Sequence, residues 1–296
     1  MKKLLVLLFA AALCGVLLSA CAQDDSDAEG GNSVSTTETA AAVSAHMEEL
    51  TICSGEKEIY GRLFFPGMST AEKRPVVIFS HGYNGSHADF IAECRYFIDQ
   101  GFLAFTYDFC GDSIRSRSSG KSTDMTIFTE KEDLLAVIDY LSTLDQVDSE
   151  NIFLLGGSQG GLVTALAAEE RPQQVKAMVL YFPAFNIPDD WRRNYPSEAQ
   201  IPETVDFWGL MLGREFFTSM RRFHVYDHIG SFSGPVLILY GDKDAIVPLS
   251  ACRKAAEEYA QAELVILPGE GHGFSPAGAK TAMEKAFAFM KEQYHP

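Results

Sequence analysis

Asn151–Gly161 reads N-I-F-L-L-G-G-S-Q-G-G, and the fold is decided there. Ile152–Leu155 is a short apolar run, suited to a strand buried on both faces. Gly156-Gly157-Ser158-Gln159-Gly160 then spells G-x-S-x-G, and Leu162–Glu170 continues in good helix formers that stop before Pro172. Strand, sharp turn and helix in that order are the context of a nucleophile elbow, which holds a serine hydroxyl above the edge of a sheet. Gly156 and Gly160 are expected where strand and helix backbones come too close for a Cβ, and Gly157 relaxes the turn further. The helix that opens at Gln159 aims free N–H groups at the serine. A phosphate-binding loop fits poorly, because no Lys follows the glycines and G-x-G-x-x-G is not matched.

Outward from this stretch the chain alternates strands and helices. Glu48–Cys53 and Glu58–Phe65 form an edge hairpin through Ser54-Gly55, and Pro75–Ser80 is a central strand with its proline at the start. A helix over about Ala88–Gln100 stops at Gly101, and Phe102–Tyr107 is the next strand. After the polar loop Asp112–Asp124, an amphipathic helix runs over Thr129–Thr143, opened by Thr129 or Glu130. Val175–Phe182, Pro235–Tyr240 and Glu263–Leu267 are further strands, with helices over Leu249–Ala260 and Ala277–Tyr294. Asn186–Gly234 breaks the rhythm: it is rich in aromatics and Met, shows no clear strand, and reads as a small, mainly helical cap insertion. The fold class is α/β, a mostly parallel twisted sheet with helices on both faces.

Length and charge bound the rest. A chain of 296 residues is enough for one large α/β domain or two small ones, and its 47% hydrophobic content supports a sizeable core. The net charge of −16 argues against nucleic acid and against electrostatic adhesion to anionic lipid. Met1-Lys2-Lys3 followed by the apolar run Leu4–Leu18 has the length of a signal peptide rather than of a spanning helix. It ends Leu18-Ser19-Ala20-Cys21, which resembles the lipobox of bacterial lipoproteins and implies lipidation at Cys21. Residues 1–20 are thus expected to be a signal peptide, 21–46 a disordered tether of small and polar residues, and 47–296 the domain. The expected location is extracytoplasmic, with the domain in solvent and an acyl anchor in the bilayer. Cys53, Cys94, Cys110 and Cys252 remain in the domain; an exported chain permits disulfides, but no spacing fixes a pairing, and buried thiols fit equally well.

A serine nucleophile needs a base, an acid that orients it and an oxyanion hole. On this type of sheet the chain order is Ser, then Asp or Glu, then His. The Pro235–Tyr240 strand ends in G-D-K-D-A-I-V-P, offering Asp242 and Asp244, and the last strand ends in P-G-E-G-H-G-F, offering His272 between two glycines. His272 is the candidate base. Asp244 is preferred as the acid because A-I-V-P can fold back over the strand end, and Asp242 is assigned to loop backbone. Gln159 and, in His81-Gly82-Tyr83 after an early strand, Tyr83 are the candidate backbone donors to the oxyanion. His81 is read as structural. His224 and His228 lack an H-E-x-x-H pattern and are read as cap or surface residues, so neither a metal nor another cofactor is expected.

The set S-H-G-Y, Y-D-F-C-G, G-G-S-Q-G-G-L, G-D-K-D-A-I-V-P and G-H-G-F resembles the α/β-hydrolases, in order and spacing, over about Glu48 to the C-terminus. Within them it looks most similar to bacterial cinnamoyl (feruloyl) esterases. Gly157 departs from that pattern, since those esterases often carry Glu there, and Ser158 argues against the Cys chemistry of dienelactone hydrolases. The resemblance implies an α/β-hydrolase fold, a serine carboxylesterase acting on hydroxycinnamoyl or other small acyl esters, and a cap that roofs the acyl pocket. By the same resemblance Tyr226 and, more weakly, Trp191, Asp189 and Asp190 would contact substrate. Rival readings are a serine peptidase, an acyltransferase or thioesterase of the same fold, and a non-catalytic surface lipoprotein. The residues leave the oligomeric state open.

Overall fold

A computed structural model describes residues 46–67 and 72–295. The expected signal peptide, Cys21 and almost all of the expected tether lie outside the described residues, and the first strand takes in His46. Among the described residues no helix is long and apolar enough to cross a membrane.

The sheet is built from β1 (His46–Ser54), β2 (Lys57–Phe65), β3 (Arg74–Ser80), β4 (Leu103–Tyr107), β5 (Val147–Gly157), β6 (Val175–Tyr181), β9 (Val236–Gly241) and β10 (Ala262–Leu267). Their order across the sheet is β1-β2-β4-β3-β5-β6-β9-β10. β1 and β2 pair antiparallel at one edge, and all strands from β4 onward run parallel. The central strands are apolar and buried on both faces, as parallel strands covered by helices must be. α1 (Ile91–Asp99) packs with α7 (Pro276–Gln293), and α2 (Ile127–Leu141) packs with α3 (Gln159–Glu170); α6 (Leu249–Glu258) lies on β9 and β10. This is the α/β-hydrolase fold. The chain reverses its direction of travel across the sheet between β3 and β5, and a crevice opens at the C-terminal ends of strands at such a point.

Two local expectations change. α2 begins at Ile127, not at Thr129: Thr126 accepts from the N–H of Thr129, whose side chain accepts in return from the N–H of Thr126. Glu130 therefore sits within the helix, and it is fully buried. The insertion is not purely helical. α4 (Ile187–Asn194) and α5 (Arg214–Ser219) flank a hairpin of β7 (Thr204–Phe207) and β8 (Leu210–Gly213). Trp208 and Gly209 form its turn with φ of 50° and 82°, a two-residue turn whose twist suits a hairpin. Trp at the first turn position is unusual, which is why the sequence does not announce the hairpin.

The cap is fastened by arginines. Arg192 donates to the carbonyls of Met220 and Phe223, Arg221 to those of Tyr195 and Pro196, and Arg214 to those of Ile201 and Glu198. These guanidinium groups satisfy carbonyls of irregular backbone that has few ladder partners. Cys94, Cys110 and Cys252 are buried free thiols and Cys53 is an exposed one, so the cysteines of the domain form no bridges with one another.

Candidate active site

Ser158 joins β5 to α3 with φ 54° and ψ −119°. A residue with a Cβ takes such a backbone only where its surroundings hold it. Here its N–H donates to the carbonyl of Tyr181 at 2.9 Å. Its carbonyl accepts from the N–H groups of Gly161, Leu162 and Ala184 at 3.0, 3.2 and 2.9 Å. Close packing fixes the rest. A Cβ on Gly156 would lie 2.3 Å from the carbonyl oxygen of Gly160, and one on Gly160 would lie 2.2 Å from that of His81. Both glycines are thus required by the approach of β3, β5 and α3 to one another.

The loops after β9 and β10 are tied together. Lys243 N–H donates to the Glu270 carbonyl at 2.8 Å, and Asp242 accepts from Gly269 N–H at 2.7 Å. Asp242 thus holds loop backbone, while Asp244 meets His272. His272 Nδ1 lies 2.9 Å from Asp244 Oδ2, and its Nε2 lies 2.9 Å from Ser158 Oγ. With the carboxylate on one side, Nδ1 carries the proton and Nε2 is the acceptor for the serine hydroxyl. Asp244 Oδ1 accepts from the N–H groups of Ile246 and Val247 at 2.8 and 2.9 Å, so A-I-V does fold back over the strand end. Burial alone raises the Asp244 carboxyl, but the bonds from His272, Val247 and Ile246 outweigh it and hold the group below its ordinary value. Phe182 lies against the imidazole, with ring centroids 4.6 Å apart.

Gly82 packs on the serine: a Cβ there would lie 3.2 Å from Ser158 Cβ. The loop that carries the Tyr83 N–H therefore passes directly beside the nucleophile. Gln159 is the first residue of α3, whose leading N–H groups have no intrahelical acceptor. Two contacts brace these two residues. Tyr83 Oη donates to the Phe207 carbonyl at 2.8 Å, joining its loop to the cap hairpin. Gln159 Nε2 donates to both carboxyl oxygens of the buried Glu130 at 2.9 Å. Burial first, then the neighbouring Asp112 carboxyl, pushes Glu130 well above the ordinary carboxylate range. His81 is structural: it is buried, Nδ1 bonds the Gly82 carbonyl and Nε2 accepts from Phe109 N–H.

Under the cap, a cavity of about 210 Å³ opens onto Ser158. Trp191, Phe207, Phe216 and Ile187 wall it, with Asn186 and Asp190 supplying polar atoms. Asn186 Nδ2 donates to Asp190 and to the Ile246 carbonyl, while its buried Oδ1 has no partner. Trp191 thus reaches the serine's cavity and Tyr226 does not. Tyr226 Oη donates to the Ala251 carbonyl, and Lys254 lies over its ring, so α6 holds it in a separate polar cleft with Asp189 and His224. Burial pushes the Tyr226 phenol up to about 12. The assignment of Tyr226 to the substrate pocket is corrected accordingly. His224 and His228 are exposed, and no metal-binding cluster occurs among the described residues.

Comparison with known proteins bears on the fold and the class of the chain. Residues 87–296 match the model of the prolyl oligopeptidase family, peptidase S9. The chain belongs to that family. This prolyl oligopeptidase family member is similar to the bifunctional esterase/perhydrolase of Acinetobacter calcoaceticus, 25% identical over 263 residues, or 73% of this chain and 92% of that one. It is also similar to Est1E of Butyrivibrio proteoclasticus, solved with ferulic acid bound: TM-score 0.75, 28% identity, 82% of this chain and 98% of that one. Acylamino-acid-releasing enzyme 1 of Oryza sativa subsp. japonica is 23% identical over 75% of this chain but only 30% of its own length. The chain is an enzyme, a hydrolase.

Glu130 gives a test of the brace under Gln159. A carboxyl kept protonated by the fold binds a proton that the unfolded chain releases above its ordinary value of 4.5. Stability then falls as pH rises from there through the folded titration. Urea unfolding of the Glu130→Gln variant and the parent, measured between about pH 4.5 and 8, is expected to show the variant gaining relative to the parent as pH rises. A constant difference would contradict it.

Proposed function

We propose that the chain is a serine carboxylesterase. The observation that carries this reading is the line Ser158–His272–Asp244, with both hydrogen bonds at 2.9 Å, opening onto an apolar cavity. Ser158 Oγ attacks the ester carbonyl and its proton passes to His272 Nε2. Asp244 stabilises the imidazolium that forms. The oxyanion accepts from the N–H groups of Tyr83 and Gln159. Collapse expels the alcohol, which takes the proton from His272. Water, deprotonated by His272, then attacks the acyl-enzyme and releases the acid and Ser158. No step calls for a cofactor. Ester rather than peptide hydrolysis is favoured because the esterase relative is matched over nearly its whole length and the acylamino-acid-releasing enzyme over less than a third.

The acyl group is assigned to the cavity under the cap. Aromatic walls from Trp191, Phe207 and Phe216 suit a flat aryl group, and Asn186 Oδ1 is an acceptor waiting for a hydroxyl proton. A hydroxycinnamoyl ester of the ferulate type provides both, in keeping with the likeness to the ferulate-bound Est1E. The anchor is proposed from sequence: Leu4–Leu18 and the Leu18-Ser19-Ala20-Cys21 cleavage pattern support a lipoprotein acylated at Cys21 and facing the extracytoplasmic side.

Three measurements test this reading. Ser158→Ala lowers kcat on p-nitrophenyl butyrate by at least about a thousandfold with the fold intact; full turnover would end the assignment. Asn186→Ala lowers kcat/KM about tenfold more for methyl ferulate than for methyl cinnamate, which lacks the hydroxyl. Equal losses would place the ring elsewhere. On fractionation of expressing bacteria, Cys21→Ala moves the protein from the membrane to the soluble exported fraction; an unchanged distribution would refute acylation at that residue.

A further inference from the structure

Ser158 borders two cavities. The second, of about 240 Å³, is lined by no residue of the cap and adjoins the loop that carries His272, through Gly273 and Phe274. Its walls are the rings of Phe90, Tyr181, Phe182 and Phe274. Phe182 and Phe274 stand nearly edge to face, with centroids 4.7 Å apart, and Tyr181 lies 5.5 Å from Phe274. Two polar groups border this aromatic box, one with no hydrogen-bond partner and one with no counter-charge. Tyr181 is 2% exposed, and its Oη is buried with no hydrogen-bond partner. Glu93 on α1 is 9% exposed and forms no ion pair with a Lys, Arg or His among the described residues. Asp89, at the same cavity, is already engaged: it caps its own turn through the N–H of Ser86 and pairs with Arg115.

Gly157 keeps this space open. A Cβ there would lie 3.3 Å from Phe90 and 3.7 Å from Phe182, so a larger side chain at this position would fill the box. A buried carboxyl without a cation, an orphan hydroxyl and the faces of several aromatic rings together recognise one kind of group, an alkylammonium ion carrying an N–H. The ring faces attract the charge, the carboxylate neutralises it and the hydroxyl accepts or relays its proton.

We propose that this cavity is a second substrate subsite, and that it binds an alkylammonium group on the alcohol half of the ester. The proposal rests on the esterase reading. The side follows from the chemistry: His272 must protonate the departing oxygen, so the alcohol leaves from the face of Ser158 next to the His272 loop, where this cavity lies.

Two isosteric esters test it. Dimethylaminoethyl butyrate, protonated at neutral pH, and isopentyl butyrate differ only in replacing N–H⁺ by C–H. The parent enzyme is expected to prefer the charged ester by roughly tenfold or more in kcat/KM. In Glu93→Gln and, separately, in Tyr181→Phe, that ratio falls toward one. A ratio near one in the parent, or a preference that survives both substitutions, would overturn the proposal. So would a preference seen only when the ammonium is moved to the acyl half, as in methyl dimethylaminobutyrate beside methyl 5-methylhexanoate. Hydrolysis of isopentyl butyrate reports on the esterase reading separately. If that ester is not turned over, calorimetric binding of dimethylethylammonium to the full chain decides: heat lost in Glu93→Gln supports the subsite, and absence of heat in the parent refutes it.

Discussion

Everything in the site depends on the backbone of Ser158 staying in a left-handed turn. That conformation costs about 1–3 kcal/mol for a residue with a Cβ. It is held because four hydrogen bonds use both of the serine's backbone groups, and because two glycines let α3, β3 and β5 approach within the space of a missing side chain. The turn lifts Oγ out of the sheet toward His272 and starts α3 with its free N–H groups at the same point. The position of the Ser158 hydroxyl, the start of α3 and the close pass of the Gly82 loop are consequences of one constraint.

Around that point the molecule uses its polar groups in pairs that act on backbone. Asp244 orients His272 with one oxygen and closes its own loop with the other. Gln159 anchors the first turn of α3 to Glu130 through its side chain. Tyr83 ties the loop after β3 to the cap hairpin at the Phe207 carbonyl, and Asn84 Nδ2 adds a bond to the Trp208 carbonyl. The cap is therefore linked to the loop after β3 by specific bonds at the edge of the cavity it roofs, and a cap substitution that moves β7 or β8 acts on that loop as well as on the pocket.

The sheet was legible in the sequence because its strands are short apolar runs punctuated by glycine and proline, and because the polar residues at their ends occur in a fixed chain order. Ser158, Asp244 and His272 could be picked out and are within hydrogen-bond distance. The separation of Asp242 from Asp244 was legible too, from the A-I-V-P segment. The cap was not. Its hairpin turns at Trp208-Gly209 rather than at an Asn-Gly pair, and its aromatic residues carry no period that says which rings face the cavity. Tyr226 was misplaced for that reason: a tyrosine near the end of the insertion can turn to α6 as readily as to the serine. Glu130 was hidden because a buried acid and a solvated one look alike on an amphipathic helix, and only the contact with Gln159 separates them. Asn186, just after the F-P-A-F that leaves β6, stood at the boundary of the insertion without a signal of its own.

The central claim is that Ser158 is an activated nucleophile. Treating the protein with a fluorophosphonate and locating the adduct by mass spectrometry tests it without any choice of substrate. The account predicts one phosphonylated site, on the peptide that contains Ser158, and its loss when His272 is replaced by Ala. An unlabelled protein, or an adduct on another serine, would contradict it.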